Sequence, residues 1–287
     1  MNKFFFTLAL SISLIGSSIN PATLFAQHSD VLVTNVGGQV AIGAASDIGN
    51  PDESFDLETI VFETIMVPGF EPPTPADYES EEPGFFALNG TSDAAELAAL
   101  GASALPGNAG VSVSASSFSI GGATSTLFYW DGQGSVNFTP APAGTTFSYS
   151  PATNFETTGP NGDMDGHPVY QLDASSGLPA DGVYLVSPTV DVDGLATSDP
   201  FYSVLLADAL IVDEDDEEAV EEALEALEEG LTTDAVVDFG GGVTKEFAFY
   251  EEAVEFVEET FAIPEPSTAL LSLAAFGMLL AGRKQRS

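Results

Sequence analysis

The chain has no cysteine among its 287 residues, which excludes disulfide bonds, thiolate metal ligands and cysteine nucleophiles. Two histidines and one tryptophan leave few side chains for imidazole chemistry or for the stacking surfaces of sugar clefts. Basic residues are also scarce, with five Lys and Arg against 44 Asp and Glu. Stability must therefore come from core packing, together with any ions that the acidic groups bind.

Positive charge is scarcest in the middle of the chain. Lys245 is the only Lys or Arg between residues 27 and 263, whereas Glu265 is the only acid outside that span. Such a surface repels nucleic acid, anionic lipid and acidic polymers, so nucleic-acid binding is excluded and cations are the attractive partners. Solubility in a salt-rich medium, where salt screens self-repulsion, is the favoured explanation, and a dedicated cation-binding role is the alternative.

The N-terminus has the three parts of a secretory signal peptide. Lys3 supplies the positive region, an apolar stretch follows from Phe4 to Ile15, and Leu24-Phe25-Ala26 forms a cleavage site. A retained membrane anchor is disfavoured because the apolar stretch is short and is followed by small residues and Pro21. We therefore predict an exported protein whose mature chain begins near Gln27.

The C-terminus has the organisation of a sorting tail. Pro264-Glu265-Pro266 comes first, an uncharged, mainly apolar run from Ser267 to Gly282 follows, and Arg283-Lys284-Gln285-Arg286 closes the segment. As a helix the run would extend about 24 Å, which is marginal against a hydrocarbon core of about 30 Å. The cationic end would stay on the cytoplasmic side, so everything before Pro264 would lie across the membrane. An ordinary tail anchor would have the same topology but needs no Pro-Glu-Pro.

This order of elements resembles the PEP-CTERM tail of bacterial envelope proteins. The resemblance covers only the last residues of the chain and implies recognition by an exosortase, a membrane transpeptidase that cuts near the Pro-Glu-Pro. It further implies that the secretion machinery and the exosortase are partners, that the tail holds the protein in the membrane transiently, and that the product reaches the cell surface or the extracellular matrix.

The residues between the two ends predict a mainly β fold. Short apolar or alternating runs are separated by Gly, Pro and Asn, the usual punctuation of a two-sheet β-sandwich. The predicted strands are Asp30 to Thr34, Gln39 to Gly43, Leu57 to Val67, Val111 to Ile120, Ser125 to Trp130, Ser135 to Thr139, Thr145 to Tyr149, Val169 to Leu172, Gly182 to Val192 and Phe201 to Leu206.

Three segments depart from the β pattern. The Pro- and acid-rich stretch from Pro68 to Pro83 predicts an extended surface connection. Acidic helices are predicted from Asp213 to Glu229, ended by Gly230, and from Phe249 to Thr260, each with an apolar stripe that faces a core. The expected organisation is a signal peptide (1–26), a β-sandwich domain (27–212), an acidic helical region packed on it (213–263) and a sorting tail with a short transmembrane helix (264–287).

Catalytic motifs are missing from the sequence. His28 is the second residue of the expected mature chain, which leaves His167 as the only histidine with a domain around it. The chain has neither a Gly-x-Ser-x-Gly elbow nor a His-Glu-x-x-His zinc motif. Paired carboxylates could serve a glycosidase, but proximity of two acids carries little information in so acidic a chain. We therefore expect no enzymatic activity, with a hydrolase as the third choice.

One segment has part of the pattern of a calcium loop. Asn161, Asp163 and Asp165 place oxygen ligands at alternate positions ahead of Gly166, and Ca²⁺ prefers six to eight hard oxygen ligands. The pattern then fails, because Leu172 stands where the twelfth-position Glu of an EF-hand would be, and a strand is expected in place of a helix. A plain acidic turn is the stronger interpretation, and Asn161, Asp163 and Asp165 remain the candidate Ca²⁺ ligands.

A second resemblance extends from Asp165 to Leu206. Its elements are Gly166-His167-Pro168, the run from Pro179 to Leu185, and Ser198-Asp199-Pro200-Phe201-Tyr202, and together they are similar to the body of secreted planctomycete-type PEP-CTERM proteins of unassigned function. The expected function is that of a secreted, surface-sorted, non-enzymatic component of the bacterial extracellular matrix or cell envelope. The alternative is a module of the same matrix that binds cations (Ca²⁺) or a carbohydrate such as exopolysaccharide.

Overall fold

The structure, a computed structural model, describes residues 29–51, 53–70 and 76–261. The expected signal peptide and the sorting tail, with Pro264, Glu265, Pro266 and the short transmembrane helix, lie outside the described residues. Among the helices in the described ranges, none is long and apolar enough to cross a membrane.

Short strands make up most of the regular structure of the described residues, and three helices interrupt them there. In the first half of the chain the elements are β1 (Ser29–Val36), β2 (Gln39–Ser46), β3 (Ser54–Asp56), β4 (Val61–Pro68), β5 (Tyr78–Ser80), β6 (Phe85–Ala87), α1 (Ala94–Ala99), β7 (Gly110–Ser116), β8 (Phe118–Ile120), β9 (Ala123–Ser125), β10 (Phe128–Trp130) and β11 (Thr139–Pro140). In the second half they are β12 (Thr145–Ser150), β13 (Glu156–Thr157), β14 (Met164–Gly166), β15 (Val169–Ala174), β16 (Gly182–Val192), β17 (Tyr202–Ala207), α2 (Glu214–Glu228), β18 (Val236–Asp238), β19 (Thr244–Glu246) and α3 (Ala248–Phe261).

The smaller of the two main sheets has the strand order β14-β6-β1-β2-β3. Its centre is the antiparallel hairpin β1–β2, joined by Gly37 and Gly38, which both have positive φ as a two-residue hairpin turn requires. Val31 and Val33 of β1 are buried on one face, while Leu32 is buried on the other face beside α1. This alternation follows from the two-residue period of a strand.

The larger sheet is organised around β16, its longest strand. The order along its main path is β11-β10-β16-β17-β4-β5-β15-β12, and β7 and β13 extend it as a branch. The first part of β16 pairs with β17 between residues 182 and 186, and the second part pairs with β7 between residues 187 and 192. A single strand thus connects the main path of the sheet to its branch.

One face of each main sheet contributes to the same hydrophobic core. Buried side chains from both sheets meet there, including Val33 and Ile42 from the smaller sheet and Met66, Leu172 and Leu205 from the larger one. The predicted mainly β fold is therefore confirmed, and the arrangement of the sheets is consistent with the predicted sandwich.

The opposite face of the larger sheet is covered by the two acidic helices. Val204 and Leu206 of β17 share a second core with Val220 of α2 and with Val254 and Val257 of α3. Tyr250 anchors α3 to the sheet, because its hydroxyl donates to the carbonyl of Val204 at 2.8 Å and accepts from the amide of Thr64 at 2.9 Å. The central strands β16, β17 and β4 are consequently buried on both faces.

Both predicted helices are confirmed, with bounds close to those expected. Asp213 is the N-cap of α2 and accepts a hydrogen bond from the amide of Asp216 at 3.1 Å. Gly230, with φ of +68°, ends the helix as predicted, while the amide of Leu231 donates to the carbonyl of Ala226 at 2.9 Å.

Several predictions of local structure were wrong. The strand predicted from Val111 to Ile120 is divided between β7 and β8, and the one predicted from Ser125 to Trp130 is divided between β9 and β10. The expected surface connection between Pro68 and Pro83 contains the buried strand β5, whose central residue, Glu79, is fully buried. The Glu79 carboxylate accepts hydrogen bonds from the amides of Phe70 and Ala76 and from the side chain of Gln171, which compensate its burial. Of the predicted strand from Ser135 to Thr139, only Thr139 lies in a strand, the two-residue β11.

Candidate cation-binding pocket

The segment that resembles half of a calcium loop borders a pocket at the edge of the smaller sheet. Its middle residues form β14, which pairs with β6, so a strand replaces the continuous loop that an EF-hand would need. The pocket has a volume of about 360 Å³. Its lining residues are Phe86, Ala87, Asn89, Asp93, Glu156, Thr157, Gly159, Asp163, Met164 and Asp165.

Two of the three candidate ligands, Asp163 and Asp165, are brought together in this pocket. Met164 between them is 5% exposed and belongs to the main core, so its two neighbours project to the opposite side. Asn161 is exposed and is not among the lining residues, while its backbone carbonyl accepts a hydrogen bond from the amide of Gly90 at 2.9 Å. The structure therefore groups the two aspartates and leaves Asn161 outside the group.

Residues distant in sequence complete the pocket. Asp93, at the start of α1, and Glu156 of β13 add two carboxylates, and Asn89 adds an amide. Nothing in the local pattern around Asp163 indicates these contributions. Asn89 and Asp93 follow β6, which pairs with β14, and Glu156 belongs to β13, which contacts β14. The set includes four carboxylates, a ligand type that Ca²⁺ prefers, whereas the side-chain oxygen of Asn89 already accepts from the amides of Thr91 and Ser92. No three of these carboxylates lie within 4.8 Å of one another in the described part of the chain.

Hydrogen bonds hold the pocket acids in place. The side-chain amide of Asn89 donates to Oδ1 of Asp163 at 3.0 Å, and the backbone amide of Asn89 donates to Oδ2 of Asp93 at 2.8 Å. The amide of Thr157 donates to Oε1 of Glu156 at 2.7 Å. Gly159 makes room for Asp163, since a Cβ at this glycine would lie 2.7 Å from Oδ1 of the aspartate. Each of these bonds uses one oxygen of its carboxylate.

Beside the pocket, His167 lies among acidic side chains. Its Nε2 is 3.2 Å from Oδ1 of Asp165, and its Nδ1 is 3.7 Å from Oε1 of Glu82. Partial burial lowers the pKa of His167, but Glu82, the carbonyl of Glu81, Asp30 and Asp165 outweigh this effect and raise the pKa above its usual value. The side chain is 36% exposed and has acidic partners, an arrangement typical of an ion-pairing histidine.

A second group of acids lies under the helical layer. Glu63 of β4, Glu228 of α2 and Glu251 of α3 have carboxylate oxygens within 4.8 Å of one another, and they form the one such group of three found among the described residues. The prediction from sequence did not include this group, although Glu63 interrupts the apolar run of β4. Burial, followed by repulsion from Glu63 and Glu228, raises the pKa of Glu251 to about 10.

No family model matches the chain, and neither a curated protein nor a solved structure is similar to it. The candidate sites therefore rest on the residues themselves. The Ca²⁺ site at Asn161, Asp163 and Asp165 stays a prediction, and so does the sorting motif at Pro264, Glu265 and Pro266.

Proposed function

We propose that this protein is a secreted, surface-sorted, non-enzymatic component of the bacterial extracellular matrix or cell envelope. The observation that carries the proposal is the order of elements at the C-terminus, with Pro264-Glu265-Pro266, an apolar run and a cationic end. This order resembles a PEP-CTERM tail and makes an exosortase the expected partner. The signal-like N-terminus supports the same route of export.

The distribution of charge supports a location outside the cytoplasm. Four of the five basic residues lie in the two targeting segments, which leaves an intervening domain of strongly negative charge. Such a domain remains soluble and repels other anionic polymers, while salt and divalent cations screen its self-repulsion. These are properties that suit a protein exposed to an ion-rich exterior.

Intact-mass analysis of the protein from its native host tests the proposal. The expected mature protein begins near Gln27 and lacks a C-terminal piece that starts near Ser267, so its mass is reduced at both ends. A matched variant with Pro264 and Pro266 changed to Ala keeps the apolar run and should retain the tail. Recovery of the native protein with residues 283–287 still attached would contradict sorting by an exosortase.

The second candidate function is binding of divalent cations in the same matrix. It is favoured by the pocket that joins Asp163 and Asp165 to Asp93 and Glu156. Calcium tolerates irregular arrangements of six to eight oxygens, whereas Mg²⁺ demands near-octahedral geometry and gives up its waters reluctantly. A calcium-binding pocket should therefore distinguish the two ions, whereas a diffuse acidic surface should not.

Calorimetry with Ca²⁺ and with Mg²⁺ tests this second function. A site predicts saturable Ca²⁺ binding and a melting temperature that rises more with Ca²⁺ than with Mg²⁺. Relative to the ion-free protein, Ca²⁺ should add about 2.7 kcal/mol of stability when its free concentration is 100 times the dissociation constant. Changing Asp163 and Asp165 to Asn should abolish the difference. Changing the exposed residues Asp199 and Asp234 to Asn removes the same amount of charge outside the pocket. This variant should preserve the difference between Ca²⁺ and Mg²⁺. Equal responses to both ions in all variants would leave the segment as an acidic turn.

A further inference from the structure

Acidic charge is unevenly distributed along the chain. Between Glu96 and Glu156, Asp131 is the only charged residue, although the whole chain has 44 Asp and Glu. The structure builds β7 to β12 from this segment. A partner of negative charge, which the rest of the protein repels, can therefore approach most easily where these strands are exposed.

The part of this segment that lies beside the helical layer consists of two hairpins. β8 pairs with β9, β10 pairs with β11, and β9 contacts β11. Ser119 and Thr124 are exposed on the first hairpin, with their hydroxyl oxygens 2.8 Å apart. Other exposed polar side chains are those of Ser117, Thr126, Asn137 and Thr139. We call residues 117–140, which include Asp131 as their one acid, the acid-poor flank.

Helix α3 packs along the acid-poor flank through a row of aromatic contacts. From the start of the helix to its end, the ring pairs are Phe249 with Trp130, Phe256 with Phe138, and Phe261 with Phe118, with centroids 5.9–6.2 Å apart. Glu251 of the same helix lies close to Glu228 of α2. At about 100° per residue, Phe249 and Phe256 point about 150° away from Glu251. The acid-poor flank and the acidic helix α2 therefore lie on different sides of α3.

The end of α3 is held beside the first hairpin of the flank. The ring of Phe261 stacks on Tyr202 of β17 with centroids 4.1 Å apart and lies 6.2 Å from the ring of Phe118. The apolar run of the expected tail begins at Ser267, and the six residues from Phe261 to this point extend at most about 22 Å. A tail anchored in a membrane would therefore keep this end of the domain close to the lipid surface.

The acids nearest to the flank in sequence lie away from its first hairpin. Asp131 precedes Gly132, where a Cβ would lie 2.8 Å from the ring of Phe249, so it is located near the start of α3. Glu258, in the last turn of α3, interacts with Glu228 and so belongs to the side of α2. The hairpin beside the end of α3 has no charged residue in its sequence.

We propose that the acid-poor flank is the surface that the domain presents to anionic lipid headgroups while the tail holds the protein in the membrane. The inference rests on the function proposed above, which supplies the tail. At a surface potential of about −30 mV, each acid brought to the headgroups is disfavoured by about threefold, so the side that carries α2 is kept away and the acid-poor flank is not. The hydroxyl and amide side chains of the flank can also donate hydrogen bonds to headgroup phosphates.

Fluorescence quenching in lipid vesicles tests this orientation. Because the chain has no cysteine, one cysteine at a chosen position takes a single fluorophore. Two matched variants of residues 27–287 carry it at exposed threonines, Thr126→Cys on the flank and Thr232→Cys just after α2. In vesicles that contain phosphatidylglycerol, a quencher attached to the headgroups should quench the label at position 126 several-fold more strongly than the label at position 232. In vesicles of phosphatidylcholine alone this difference should shrink.

A pair of charge variants tests the cause of the orientation. Ser117→Asp adds one acid to the flank, and Ser176→Asp adds the same charge after β15, at the end of the larger sheet opposite to Tyr202. With phosphatidylglycerol present, Ser117→Asp should lower the quenching of the label at position 126 by up to about threefold, whereas Ser176→Asp should leave it unchanged.

The outcomes separate this inference from the proposed function. Equal quenching of the two labels in vesicle-bound protein, or stronger quenching at position 232, would overturn the orientation while leaving the anchored tail intact. Equal effects of Ser117→Asp and Ser176→Asp would overturn it as well. A chain that does not float with the vesicles would contradict the anchored tail, and the inference with it.

Discussion

Two acidic positions on the helix-covered side of the larger sheet, one fully buried and one partly buried, have different partners. Asp208, immediately after β17, is fully buried and pairs with Lys245 of β19, while its second oxygen accepts from the amide of Leu210 at 3.0 Å. Glu251 has a buried oxygen that receives no hydrogen bond in the described part of the chain, and acids are its closest charged neighbours. The first position has a cation as its partner, whereas the second lies among acids that raise its pKa.

The difference shows the consequence of having so few basic residues. A buried carboxylate needs a counterion, several hydrogen-bond donors or a proton, because its desolvation is otherwise too costly. Asp208 takes the only lysine of the expected domain, and Glu79 is satisfied by two backbone amides and Gln171. Burial, repulsion from Glu63 and Glu228 and a hydrogen bond with Glu228 all raise the pKa of Glu251, so its carboxyl should respond more strongly to pH than Asp208 or Glu79.

The largest expected effect is that of removing the cation from Asp208. Lys245→Met should destabilise the protein by about 3–5 kcal/mol, because it leaves a buried charge without its partner. Denaturant unfolding at neutral pH measures this change. The double variant Asp208→Leu with Lys245→Met removes both charges and should recover most of the stability. A single variant as stable as the wild type would show that the pair does not compensate buried charge.

The next effect concerns the anchor that holds α3 on the sheet. Tyr250→Phe removes the hydroxyl that bonds Val204 and leaves the buried amide of Thr64 without its acceptor. The expected cost is about 1–3 kcal/mol, measured by thermal unfolding. Tyr129→Phe is the control, since the Tyr129 hydroxyl makes a solvent-exposed bond to the carbonyl of Asp181. Equal effects of the two changes would contradict the role of Tyr250 as an anchor.

The smallest effect should come from His167, whose acidic partners are partly in water. Its pKa is raised in the folded state, so the stability from these pairs is fully present below the ordinary pKa of 6.5 and is lost as the pH rises through the raised value. Because the side chain is exposed, the loss should be about 1 kcal/mol or less. His167→Gln should remove this part of the pH profile and leave the part due to Glu251. A profile unchanged by His167→Gln would contradict the ion pairs.

The elements that the sequence predicted well are those with strong periodic patterns. The helix from Asp213 to Glu229 has an acidic start, an apolar stripe and a terminal glycine, and α2 follows it closely. The strand from Gly182 to Val192 has the predicted bounds in β16. The buried strand β5 was missed because Pro and acids suggest exposure, and only the distant donor Gln171 and nearby amides make the burial of Glu79 tolerable.

The candidate sites were harder to predict because they join distant segments. Asp163 and Asp165 stand out by their spacing, but Asp93 and Glu156 reach the pocket only through the pairing of strands and loops that no local pattern describes. The contact between Glu63 and Glu251 spans most of the chain. An acid within the apolar run of β4 is the one signal in the sequence that could have indicated this group of acids.

The most direct test of the contrast between Asp208 and Glu251 is the titration of the Glu251 carboxyl itself. Carbon-13 NMR of side-chain carboxyl groups in the full-length chain, with the Glu251 resonance assigned by its disappearance in Glu251→Gln, reports the charge of this one group. The account predicts the chemical shift of a protonated carboxyl at pH 7, because burial, Glu63 and Glu228 raise its pKa to about 10. The shift of an ionised carboxylate at pH 7 would contradict it.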